Sequence, residues 1–128
     1  MSRLGNILSK LASNACIEKG TSGIWTYKKY ADGTAECWGN HVQSITSWTQ
    51  WGGLYYSNPY NTQVSYPTGL FIAEPVLTAT QRGGMSDAFL ISGMSGDANK
   101  TTAFYFGRGV NGGADTKTIY FHAIGKWK

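Results

Sequence analysis

Charged residues are scarce in this chain of 128 residues. They form 14% of the sequence, against about a quarter in an average soluble protein, and leave a net charge of +4. The basic residues are scattered along the chain, and only Lys28 and Lys29 are adjacent. Because a nucleic-acid site needs a continuous stripe of Lys and Arg, the sequence argues against nucleic acid as a partner.

Cysteines and long apolar runs are lacking as well. Cys16 and Cys37 are too few for a disulfide scaffold and cannot close a zinc site alone, so we expect both to be small buried residues. No segment approaches the roughly 18 apolar residues of a membrane-spanning helix, and residues 1–15 lack the apolar core of a signal peptide. The sequence therefore predicts synthesis in the cytoplasm of a bacterial host and no membrane insertion.

Glycine and aromatic residues are plentiful by contrast. The 17 glycines and an aromatic share of 14% are typical of β-structure with many turns. The N-terminal segment is the exception, because its apolar residues recur at intervals of three and four and predict a helical stub over residues 1–19. The members of this stripe are Leu4, Ile7, Leu8, Leu11 and Ala15. Residues 20–128 are the expected β-domain.

The clearest local signal is a hairpin over residues 25–38. The dipeptide Asp32-Gly33 lies between two β-prone runs, which predicts a two-residue turn with positive φ at both positions. In that register Lys29 lies opposite Glu36, and Tyr27 lies opposite Trp38. Both are favourable cross-strand pairs, one of opposite charges and one of aromatic rings.

Four later runs have the character of strands, over residues 70–80, 88–94, 101–107 and 116–127. Short strands without intervening helices predict an all-β fold, an antiparallel β-sandwich that is jelly-roll-like. These runs do not alternate apolar with polar residues, although an antiparallel strand usually keeps one face in water. Phe104, Phe106 and Phe121 therefore predict strands that are apolar on both faces and covered by neighbouring subunits.

Several of these segments resemble one protein family. Ile24–Gly39, with the sequence IWTYKKYADGTAECWG, resembles a segment of the C-terminal domains of tail-fibre and baseplate proteins from phages and prophages of Gram-positive bacteria. The likeness continues in Trp51–Tyr56, in Glu74–Val76 and in the final Ala123–Lys128. It implies a β-rich homotrimer on a virion tail, in contact with other tail or baseplate proteins, with host-surface attachment as its role.

Catalytic signatures are missing. Glycoside hydrolysis needs two carboxylates facing each other across a sugar, and the acids here fall in turns, loops or ion pairs, apart from Glu74. His41 and His122 have no motif partner, and the match of Gly107–Gly112 to GxGxxG leads into a strand instead of a helix. We therefore predict a non-enzymatic protein with no catalytic residue, no metal site and no cofactor.

Aromatic residues between positions 48 and 60 are the remaining candidates for a binding site. Trp and Tyr rings offer a flat apolar face and a polar edge, which suits stacking against sugars. Packing in the core or at a subunit interface is the alternative for the same rings. The candidate ligand-binding residues are Trp48, Trp51, Tyr55, Tyr56, Tyr60 and Asn61.

The leading interpretation is a terminal domain of a phage tail fibre or baseplate that attaches to a glycan on the bacterial surface. A trimerisation or fibre-capping knob without a receptor is the first alternative, and a fragment of a polysaccharide depolymerase is the second. In the leading interpretation each glycan site is weak, and a homotrimer supplies avidity.

Overall fold

The computed structural model describes residues 15–82 and 87–128. Within those ranges the chain forms nine β-strands in two antiparallel sheets and no helix, so they contain no helix that could cross a membrane. The strands are β1 (Cys16–Ser22), β2 (Trp25–Tyr30), β3 (Thr34–Ile45), β4 (Ser47–Trp51), β5 (Leu54–Asn58), β6 (Val76–Gln81), β7 (Phe89–Ser92), β8 (Phe104–Arg108) and β9 (Asp115–Lys126). The five-stranded sheet has the order β1-β2-β3-β9-β6, and the four-stranded sheet has the order β4-β5-β8-β7.

The core lies between the two sheets, as expected for a β-sandwich. Phe121 and Ile119 of β9 point inward from the five-stranded sheet, and Phe106 of β8, which is 0% exposed, points inward from the other. The ring centroids of Phe104 and Phe121 are 5.6 Å apart, so the two sheets are in direct contact. Burying a side chain as large as Phe106 stabilises the fold by about 1.5–3 kcal/mol.

The described start of the chain is a strand. Residues 1–14 of the expected helical stub lie outside the described residues, but residues 16–19 belong to β1, so the helix prediction is wrong there. This strand pairs with β2 at the edge of the five-stranded sheet. Cys16 is exposed on it, contrary to expectation, whereas Cys37 is buried as expected.

The β2–β3 hairpin forms where it was predicted, with a different turn. Three residues, Ala31–Gly33, separate the strands instead of two. The amide of Gly33 donates a hydrogen bond of 3.1 Å to the carbonyl of Tyr30, and the amide of Thr34 donates one of 2.8 Å to Oδ1 of Asp32. Positive φ is confined to Gly33, at 95°, which fits a type I turn closed by a glycine bulge.

The extra loop residue shifts the hairpin register by one position. Lys28 instead of Lys29 lies opposite Glu36, and Tyr27 no longer faces Trp38. The shift places Lys29 and Tyr27 on the face opposite to that of Glu36 and Trp38, so both predicted cross-strand pairs are wrong.

Strands β8 and β9 alternate an inward phenylalanine with an outward tyrosine, whereas β7 is apolar on both faces, with Leu90 inward and Phe89 and Ile91 outward. Phe104, Phe106 and Phe121 point into the chain's own core, while the adjacent Tyr105 and Tyr120 point outward. Tyrosine is amphipathic and tolerates water on its hydroxyl edge, so these runs look continuous in sequence but have two distinct faces. The three phenylalanines therefore do not require a neighbouring subunit. The run over residues 70–73 is not a strand, although its first two residues, Leu70 and Phe71, are buried in the core.

Candidate functional site

The outer face of the four-stranded sheet is unusually aromatic. Trp48 of β4 points into the core, so Trp51 of the same strand, three residues further on, points outward. Tyr56 of β5 lies opposite Thr49 on one side and Gly107 on the other, on the same outer face. Tyr105 of β8 faces outward because it lies between two inward phenylalanines.

Four rings on this face surround a pocket of about 290 Å³, lined by Trp51, Tyr56, Tyr60 and Tyr105. Tyr60 follows the cis peptide bond between Asn58 and Pro59 and belongs to the loop after β5. The ring centroid of Tyr56 is 5.7 Å from that of Tyr60, 6.1 Å from that of Tyr105 and 6.4 Å from that of Trp51. Tyr56 is thus the centre of the group.

The rings around the pocket are steeply inclined to one another. The interplanar angles are 86° for Tyr56 and Tyr60, 76° for Tyr56 and Tyr105, and 73° for Tyr60 and Tyr105. Edge-to-face contacts of this kind are favourable between aromatic rings and hold each one in place. The three tyrosine rings therefore face the pocket in three different orientations and do not form one flat stacking surface.

Apolar side chains extend this surface towards the edge of the sheet. Gly107 leaves room for its neighbours on β7, because a Cβ atom at that position would lie 2.7 Å from Phe89 and 2.8 Å from Ile91. Phe89 is itself 45% exposed. The pocket is therefore one part of a wider apolar face, which we call the aromatic face.

Three of the six sequence-predicted site residues come together in the pocket, namely Trp51, Tyr56 and Tyr60. The two most exposed of these are Trp51 at 59% and Tyr60 at 54%. Tyr105 completes the group and was missed by the sequence analysis. Its signal was present in Phe104-Tyr105-Phe106, where the one amphipathic ring occupies the middle position of a strand.

The other three predicted residues lie elsewhere. Trp48 is 8% exposed, and its indole Nε1–H donates a hydrogen bond of 2.9 Å to the carbonyl of Gly113. Tyr55 points inward and packs against the core. Asn61 is exposed but does not line the pocket. Core packing, the alternative considered for these rings, therefore applies to Trp48 and Tyr55.

One solved structure has a similar fold over nearly the whole chain. It is the N-truncated R1-type pyocin tail fibre, with a TM-score of 0.53 and 14% sequence identity, covering 98% of this chain and 97% of that chain. This chain has a tail-fibre-like fold. No protein-family model matches it, and no curated protein does either. The link to phages of Gram-positive bacteria stays a prediction from the sequence motifs.

A polar group lies on the opposite side of the domain, on the outer face of the five-stranded sheet. The Tyr30 hydroxyl donates a hydrogen bond to Glu36 Oε1, and His122 Nε2 lies 3.1 Å from Glu36 Oε2. The Tyr30 hydrogen bond is the main cause that lowers the pKa of Glu36. The same bond, with partial burial, raises the pKa of Tyr30 to about 12. Glu36 is therefore held as a carboxylate by neighbours on its own sheet.

Charged side chains also meet at one end of the sandwich. Lys117, which points inward from β9, lies 3.3 Å from Asp115 Oδ2 and 3.4 Å from Asp87 Oδ1. Arg108 lies 3.6 Å from Asp87 Oδ2 and places its guanidinium carbon 5.2 Å from the ring centroid of Trp48. These ion pairs compensate a buried lysine, so their role is structural.

No group of three or more His, Cys, Asp or Glu side chains in residues 15–82 and 87–128 is placed to share a metal ion. Burial raises the pKa of the Cys37 thiol to about 12, so this cysteine stays protonated inside the core. The site that the geometry offers is thus a binding pocket built from aromatic rings.

Proposed function

We propose that this chain is a tail-fibre domain of a phage or phage-like particle and that it attaches to a glycan on the bacterial surface through the aromatic face. The observation that carries the proposal is the pocket formed by Trp51, Tyr56, Tyr60 and Tyr105, on a sheet face whose outward strand residues include no charged side chain in the described part of the chain. The similarity in fold to a pyocin tail fibre supports the first half of the proposal.

The aromatic face suits a polymer whose repeating units each bind weakly to one pocket. Exposed Trp and Tyr rings cover the apolar patches of carbohydrate at little entropic cost, because each has only two side-chain torsions. The pocket of about 290 Å³ is at the small end of ligand sites, which are usually about 300–1,000 Å³. It therefore accommodates one small unit of a surface polymer at a time.

A homotrimer completes the proposal, since three weak sites on one particle tip bind a repeating polymer by avidity. The surface available for trimer contacts is the outer face of the five-stranded sheet. Its exposed apolar side chains include Val76 and Ile124, which are direct neighbours in the β6–β9 register. The aromatic face then remains free for the host.

Binding to isolated bacterial surface polysaccharide tests the attachment role. We expect Trp51→Ala and Tyr60→Ala to reduce binding at least tenfold, because both residues are exposed rings that line the pocket. Ile72→Ala is the control, since it removes an exposed apolar side chain of the loop between β5 and β6 that does not line the pocket. Equal binding by all three variants contradicts the assignment of this site.

The proposed role is non-enzymatic. Incubation with the same polysaccharide should release no reducing ends, whereas a depolymerase fragment would release them steadily. Release of reducing ends by the wild-type protein would overturn this part of the proposal, and release that persists in Trp51→Ala would place the active site outside the pocket.

A further inference from the structure

The chemistry of the pocket points to the kind of group that it binds. The lining residues offer four ring faces and edges, three phenolic hydroxyls and the indole N–H of Trp51, with no amide or carboxylate among them. A site for a neutral sugar usually adds several fixed hydrogen-bonding groups that fit the hydroxyls around the ring. Aromatic rings that surround a small space are instead the usual receptor for a quaternary or methylated amine.

The electrostatic setting agrees with a cationic ligand. The outward residues of β4, β5, β7 and β8 include no Lys, Arg, Asp or Glu in the described part of the chain. Arg108 is on β8, but it points inward to Trp48 and Asp87. Although the whole chain carries a charge of +4, a cation over these four strands meets no positive side chain among their outward residues.

The ring arrangement also favours a compact cation. Three tyrosine rings inclined by 73° to 86° to one another cannot all stack on one flat sugar ring. A roughly spherical ammonium group has no preferred plane and can contact rings in several orientations. It gains most when several ring centroids lie within about 6 Å of the charge.

We propose that the pocket binds a quaternary or methylated ammonium substituent carried by the surface polymer. This inference rests on the proposed attachment function and specifies its ligand. The pocket then recognises the charged substituent of the polymer, and the rest of the polymer extends over the apolar surface around Phe89.

A pair of probes that differ only in charge tests the inference. Choline chloride and its neutral carbon isostere, 3,3-dimethylbutan-1-ol, have nearly the same shape. We expect choline to shift the NMR resonances of the Trp51 indole and the Tyr60 ring, with an affinity about tenfold or more above that of the isostere. Equal affinities would overturn the inference, because the pocket would then select for apolar shape alone.

Two substitutions at one position give the matched control. Tyr60 lies in a loop and is largely exposed, so Tyr60→Phe and Tyr60→Leu should both fold. Tyr60→Phe keeps the ring and should retain most of the choline affinity, whereas Tyr60→Leu should lose at least about fivefold. A uniform loss in both variants would overturn a role for the ring face.

The outcomes separate this inference from the proposed function. If the protein binds surface polysaccharide but neither choline nor tetramethylammonium, the cation site is wrong and the attachment role stands. If it binds choline through these rings but no bacterial surface polymer, the cation site stands and the attachment role is wrong.

Discussion

The Tyr30 hydroxyl donates a hydrogen bond of 2.6 Å to Glu36 Oε1 across the β2–β3 hairpin. This bond is the first cause of the lowered pKa of Glu36. In the unfolded chain the carboxyl group has no such donor and takes up a proton at a higher pH. The contribution of Glu36 to stability is therefore fully present above its ordinary pKa of about 4.5 and is lost as the pH falls through the folded-state pKa.

We therefore expect Tyr30→Phe to reduce the acid sensitivity that Glu36 contributes. The measurement is the urea midpoint of unfolding at about pH 6.5 and about pH 3.5 in wild type and variant. The fall in midpoint between the two values should be smaller in Tyr30→Phe, because the Glu36 pKa returns towards its unfolded value. Tyr120→Phe, on the same sheet face, should behave as wild type. An unchanged fall in Tyr30→Phe would contradict the linkage.

The close approach of Gly39 to the backbone of Ile24, the residue before β2, gives a second prediction. A Cβ atom at Gly39 would lie 2.1 Å from the carbonyl oxygen of Ile24, and backbone atoms cannot move aside as a flexible side chain can. We expect Gly39→Ala to lower the free energy of unfolding by about 3 kcal/mol, the upper end for overpacking. Gly53→Ala is the control, because Gly53 has open space around it and no positive φ. Equal stabilities would show that β2 and β3 are not this close.

The hydroxyl of Ser57 satisfies a buried amide in the four-stranded sheet. The Phe106 N–H donates a hydrogen bond of 2.9 Å to Ser57 Oγ, and both residues are fully buried. Ser57→Ala leaves that amide without its partner, so we expect a loss of about 1–3 kcal/mol in chemical denaturation. Ser47→Ala removes an exposed hydroxyl from the same hairpin and should cost less than about 0.5 kcal/mol.

The hairpin shows how far the sequence determines this fold. The β-prone runs around Asp32-Gly33 were enough to place two strands and a turn, because those residue preferences are local. Whether the loop holds two or three residues depends on small differences between turn types, and the three-residue loop puts Tyr30 on the same face as Glu36, within hydrogen-bond distance. Register is thus a tertiary property that the hairpin sequence alone leaves open.

The candidate site was predictable to a similar extent. Trp51, Tyr56 and Tyr60 are close in sequence, so composition alone identified them. Tyr105 comes from a strand about fifty residues away and joins them through the β5–β8 pairing. Trp48 was grouped with the exposed rings because local alternation could not tell which face of β4 is buried. That choice depends on which side the second sheet packs against.

In the charged group around Lys117, we expect removal of the carboxylates to cost more stability than removal of the lysine. Lys117 is almost fully buried, whereas Asp87 and Asp115 are half-exposed. Removing both carboxylates with Asp87→Asn and Asp115→Asn leaves a buried, uncompensated charge, and we expect a loss of about 3 kcal/mol or more. Lys117→Met replaces the lysine by an apolar chain of similar length and should stay within about 1 kcal/mol of wild type. A larger loss in Lys117→Met than in the double Asp variant would contradict a compensating role for the carboxylates.

The oligomeric state decides how the two outer faces are used. Val76 and Ile124 are neighbours on the five-stranded sheet, and they are 77% and 43% exposed. If this face joins three copies, a lysine at position 76 buries a charge at the interface, which costs several kcal/mol per ion. We expect wild type to sediment as a trimer at micromolar concentration and Val76→Lys as a monomer with an unchanged β-sheet circular dichroism spectrum. Val110→Lys, in the loop between β8 and β9, is exposed to a similar degree as these two and should remain trimeric. A monomeric wild type would remove the trimer from the proposal, and the aromatic face would then have to bind its polymer with the affinity of a single pocket.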